Sequence, residues 1–140
     1  MAECQGIALV PIGRVDPIIL AWLKEDIPKV VKATVTKNPL LLLTPRHFFK
    51  ERNQYLAEGL LTELTPLNPD GNTLPLGITD ADIFSSGLNF VFGIATTGRA
   101  LISTFRLRPE IYGMSPNPGL NRRRVLIEAV HELRHALGLP

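Results

Sequence analysis

Hydrophobic and polar positions alternate along this chain in a way that divides it into short elements of changing period. Gly6 to Ile12 is a continuous apolar run bounded by Gly13, which predicts a buried strand. Asp16-Pro17 reads as an N-cap followed by proline at the first helical position, and Ile18, Ile19, Trp22 and Leu23 follow at helical spacing until Pro28 limits the helix. Val30 to Val35 is β-branched and alternates with Lys32, Thr34 and Thr36, predicting a second strand. Strand, helix, strand in this order predicts a parallel crossover. Leu40 to Leu43 lies between Asn38-Pro39 and Thr44-Pro45 and has no clear period.

The middle of the chain predicts a second helix from near Phe49 to Leu64, with Phe49, Leu56, Leu60 and Leu64 along one side and Pro66 beyond its end. Thr65 to Gly77, with Pro66, Pro69, Asp70-Gly71 and Pro75, reads as a turn-rich surface loop. Ile78 to Phe84 is a third strand candidate in which Asp80 and Asp82 take polar edge positions. Asn89 to Ala95 and Ala100 to Leu107 form a predicted hairpin through Thr96-Thr97-Gly98-Arg99, with Phe90 and Phe92 on its core side. Arg108 to Gly119 reads as a loop, and a final helix begins near Leu120 to Arg122.

That final helix carries the chemistry. Its apolar stripe is Leu126, Ala129, Val130, Leu133 and Leu137; at 100° per residue His131 and His135 lie on nearly the opposite face with Arg124 and Glu128. His131-Glu132-Leu133-Arg134-His135 reads H-E-x-x-H. Two imidazoles four residues apart on a helix can reach one zinc ion, and the glutamate between them can act as general base toward a water. Gly138 stands where a left-handed residue ends a helix. His47 is the one other histidine and hence the only internal candidate for a third imidazole, although its setting suits an ordinary loop or helix-start residue.

Composition narrows the alternatives. The 140 residues suffice for one domain with a core, and a net charge of +2 gives no basis for a nucleic-acid partner. Arg122-Arg123-Arg124, without interleaved aromatics, reads as a solvated helix face. Cys4 is the only cysteine, so neither an intrachain disulfide nor a cysteine-rich zinc site can form. The first residues lack a basic leader, and no apolar run is long enough to span a membrane, which gives a cytoplasmic expectation.

The chain resembles the archaemetzincins, a branch of the metzincin zinc peptidases, over nearly its whole length. The resemblance rests on Arg52 to Ala57 (RNQYLA) with Leu60-Leu61, Leu88 to Gly93 (LNFVFG), Ser103 to Pro109 (STFRLRP) and Glu128 to Gly138 (EAVHELRHALG). It implies an α/β fold: a twisted mixed sheet with an antiparallel edge strand, packed by helices that include a central active-site helix. It also implies a single metallopeptidase catalytic domain over 1–140, lacking the family's C-terminal zinc and methionine-turn part. His131 and His135 are then zinc ligands, Glu132 the general base, and Gly138 the turn residue. The implied substrate is a peptide or protein, paired to the edge strand around Asn89 to Ala95. In the family a third histidine follows, here expected immediately after Pro140, and later cysteines hold a second, structural zinc for which this chain has no ligands. Arg134 stands where the family commonly has glycine. The alternative expectation is a non-catalytic remnant or peptide-binding module with an incomplete metal site.

Overall fold

The computed structural model describes residues 6–67 and 71–139. The chain runs β1 (Gly6–Pro11), α1 (Pro17–Asp26), β2 (Thr34–Lys37), β3 (Phe48–Phe49), β4 (Gln54–Leu56), α2 (Ala57–Thr62), β5 (Thr73–Thr79), β6 (Ile83–Phe84), β7 (Gly93–Thr96), β8 (Arg99–Ser103) and α3 (Pro118–Ala136). The main sheet has the order β2-β1-β5-β8-β7. Its first four strands are mutually parallel, and β7 is antiparallel to β8 at the end of the sheet. This is the mixed α/β sheet with an antiparallel edge strand that the family resemblance implied.

Alternation sorts the core into two layers. Ile7 and Leu9 of β1, Leu74, Leu76 and Ile78 of β5 and Ile102 of β8 face α1 and α3. Ala8, Val10 and Leu101 face the other way, onto Leu60, Leu61 and Leu64 of the α2 region and Ile83 of β6. The predicted crossover is present: the Asp16 carboxylate accepts the Ile18 amide at 3.0 Å to open α1, and β1 and β2 pair in parallel. In α1 the buried apolar residues are Ile19, Leu20 and Leu23, and Ile18 is 47% exposed rather than in the core.

Five expectations need correction. The second strand lies at Thr34–Lys37, because Val30 and Val31 are held in a helical turn by bonds to the Ile27 carbonyl. The predicted helix from Phe49 to Leu64 is only Ala57–Thr62. Asn53 takes a left-handed φ of 52° and turns the chain, so β3 and β4 form a small hairpin that joins β6 instead. The stretch read as a surface loop contains β5, the central strand, while residues 68–70 lie outside the described set. Pro75 is tolerated within this strand because of where its backbone faces. The Ile78 carbonyl accepts from Ile12 on the β1 side and the Thr79 carbonyl from Thr104 on the other. Pro75 shares the orientation of Thr79, so its missing amide faces the β8 side, where pairing starts only at Leu76 opposite Ala100. The third strand candidate divides at Asp80 into β5 and β6, and the predicted hairpin shortens to β7 and β8 around Gly98 (φ 87°). Cys4 and Pro140 lie outside the described residues. Among those described, no helix is long and apolar enough to cross a membrane.

Candidate active site

The site is built on α3 where it crosses under the β7–β8 hairpin. The helix begins at Asn117, whose side chain accepts the Leu120 amide at 3.1 Å, with Pro118 at the first position. Val125, Ala129, Leu133 and Ala136 form its buried face. The apolar stripe is therefore turned from the predicted one: Leu126, Val130 and Leu137 are half-buried, and Ile127 is 68% exposed. The rotation takes Glu132 inside, at 6% exposure, and leaves His131 and His135 at the surface.

The two imidazoles lie side by side, ring centroids 4.6 Å apart, and the Glu132 carboxylate comes within 4.0 Å of His131 Nε2. No hydrogen bond occupies either imidazole among the described residues. β7 lies directly against this cluster, and Gly93 makes that approach possible. A Cβ there would sit 2.6 Å from the Leu101 carbonyl oxygen and 3.0 Å from Glu132 Cγ. Burial pushes the Glu132 carboxyl up from its ordinary range, while His131 and His135 pull it down. One turn earlier, Glu128 is pushed up to about 7, first by burial and then by the charge of Glu132, against a smaller opposite effect of His131.

At its end α3 closes with two reversed bonds, Gly138 amide to His135 carbonyl at 3.0 Å and Leu139 amide to Arg134 carbonyl at 2.8 Å. Gly138, at φ 76°, supplies the left-handed residue this motif requires. The Gly98 amide in the hairpin turn also bonds the Ala136 carbonyl at 3.0 Å, tying helix end and edge strand together.

The two imidazoles suit a zinc ion in kind and in their placement on one helix face, with the Glu132 carboxylate beside them, and no group of three metal-ligating side chains forms among the described residues. His47 is not the third donor: its Nε2 bonds Glu63 at 3.0 Å, and the ring stacks over Gly59 on the α2 side of the sheet. Arg134 is exposed.

Sequence reasoning missed a second polar cluster beside the edge strand. Arg106 grips Asp82 with two bonds of 2.8 Å, and Arg108 pairs with Asp80 at 3.2 Å, so neither aspartate is a mere edge polarity. Gln54 donates to Asp82 and to the Asn89 carbonyl, while Arg52 donates to the Leu88 and Asn89 carbonyls at 2.7 and 3.1 Å. These groups clamp the segment leading into β7. Phe90 lies beneath Arg106 and edge-on to Phe92, which is 37% exposed rather than core. The pairs are separated by 24 to 37 positions, so only the RNQYLA and STFRLRP motifs hinted at them.

An archaemetzincin from Pyrococcus furiosus is 40% identical to this chain over 142 residues, covering 95% of the chain and 73% of that relative. The crystal structure of the archaemetzincin from Archaeoglobus fulgidus, complexed with malonate, superposes with a TM-score of 0.82 at 33% identity, over 96% of this chain and 78% of that one. A zinc-dependent peptidase from Methanocorpusculum labreanum gives a TM-score of 0.83 at 25% identity, over 96% and 82%. With the edge strand lying over a helix that bears paired imidazoles and a glutamate, these likenesses place the chain among the zinc metallopeptidases. It belongs to Peptidase family M54, whose sequence profile matches residues 23–140.

Proposed function

We propose that His131 and His135 hold a zinc ion, that Glu132 is the general base of peptide-bond hydrolysis, and that the free edge of β7 binds the substrate. The observation that carries the reading is the cluster itself: two surface imidazoles without a hydrogen bond among the described residues, with a buried carboxylate 4.0 Å from one of them, under an edge strand. A bound zinc supplies Lewis acidity toward the scissile carbonyl and a water. The chain's own residues do the rest. β7 pairs with an extended peptide, adding a strand to the sheet and fixing the carbonyl over the helix. Burial raises the proton affinity of Glu132, which suits it to take a proton from the attacking water and return it to the leaving amine nitrogen. The clamp of Arg52, Gln54, Asp82 and Arg106 holds the strand that receives the substrate.

A second reading has one observation in its favour, the lack of a third donor among the described residues. In that reading the chain binds peptides along β7 without cleaving them. Hydrolysis of a fluorogenic peptide by the zinc-loaded chain and by Glu132→Gln separates the two. The proposal expects the variant to lose hydrolysis while taking up the same zinc. Equal hydrolysis by both removes Glu132 from the mechanism, and peptide binding without cleavage by the parent favours the second reading.

A further inference from the structure

The order of the main sheet reverses direction between β1 and β5. From β1 the chain leaves through α1 on one face, to β2 on the left; from β5 it leaves through Asp80 and β6 on the α2 face, to β8 on the right. Divergence of this kind opens a crevice outside the carboxyl ends of the strands, where ligands of open α/β sheets bind. Such a crevice is present, with a volume of about 340 Å³, within the range of small-molecule sites. It lies at the opposite end of α3 from the imidazoles, about 15 Å away by the ten residues from Asn121 to His131.

Its chemistry is selective. Ile19 and Trp22 of α1 supply an apolar and aromatic wall. Arg108 is the one cation in the lining, and Asp80 already neutralises it at 3.2 Å; the other Asp80 oxygen accepts the Thr104 hydroxyl at 3.0 Å. Two further carboxylates, Asp16 and Glu110, have no ion-pair partner among the described residues. The two helix N-termini at the crevice offer little to an anion, since Asp16 and Asn117 already accept their amides. Asn121, which also lines the crevice, has its side-chain oxygen buried without a hydrogen-bond partner among the described residues. That oxygen is an acceptor for which the described residues supply no donor.

We propose that this crevice binds a small organic cation, a primary amine carried on an aromatic or branched apolar group. The hydrocarbon lies against Ile19 and Trp22, and the ammonium faces the carboxylates of Asp16 and Glu110.

Trp22 is the only tryptophan of the chain, so its emission reports on this site alone. The test titrates phenethylamine at pH 7, with phenethyl alcohol and 3-phenylpropionate as neutral and anionic probes of the same shape. The amine is expected to give a saturable change in Trp22 emission and to shift the Thr104 and Asn121 amide resonances, with the acid binding at least tenfold more weakly. The double variant Asp16→Asn/Glu110→Gln loses about tenfold in affinity for the amine, while asparagine keeps the cap of α1. No saturable change with the amine, equal binding of the acid, or unchanged affinity in the double variant overturns the proposal.

Discussion

Two polar clusters flank the edge strand, and they are built on opposite principles. In the clamp beside β6, every charge has an answer: Asp82 receives two bonds from Arg106 and one from Gln54, and Arg52 and Gln54 spend their donors on carbonyls before β7. On α3, Glu128 and Glu132 are partly or wholly buried with no cation paired to them beyond the imidazoles, and two histidines stand without a hydrogen bond among the described residues. Paired buried charges hold a fold in one arrangement; unpaired ones keep an environment in which an ion or a proton is welcome. The contrast separates the part of the molecule that positions from the part that is left to do chemistry.

Breaking the clamp gives the largest effect. Asp82→Ala leaves the Arg106 guanidinium, 29% exposed in its side chain, without its carboxylate, and a loss of about 3 kcal/mol in unfolding free energy is expected in denaturant titrations. A loss near zero would mean that the pair contributes no more than a surface bridge and that the contrast is false.

Glu128 sharpens the comparison from the other side. Its carboxyl stands at about 7 in the fold against an ordinary 4.5, so the folded chain binds the proton more tightly than the unfolded chain. Stability from this group is therefore full below about pH 4.5 and falls as pH rises toward and through 7. In the zinc-free protein, Glu128→Gln is expected to abolish a fall of about 2 kcal/mol, measured by chemical unfolding at pH 4.5 and pH 8. An identical pH profile for parent and variant contradicts the unpaired-acid account.

What could be read in the sequence was what short-range chemistry decides. The Asp16-Pro17 helix start, the Gly98 turn, the Gly138 stop and the two imidazoles on one helix face all depend on neighbours within a turn or two. The failures lie where distant chain decides. Gln54–Leu56 has helical apolar spacing, yet it is a strand because the Tyr55 amide bonds the Asp82 carbonyl and Gln54 reaches Asn89. Thr73–Thr79 looks like a loop around Pro75, yet it is central because its proline faces a stretch that β8 has not reached. The turn of α3 that buries Glu132 follows from β7 lying against it through Gly93, a fact of packing that the helix's own sequence does not contain.

The central claim is that the two histidines of α3 are metal donors, and calorimetric titration with zinc tests it most directly. The account predicts one zinc site per chain that is retained in Glu132→Gln and lost when His131 and His135 are both replaced by alanine. Zinc uptake of the same stoichiometry and affinity in that double alanine variant would contradict it.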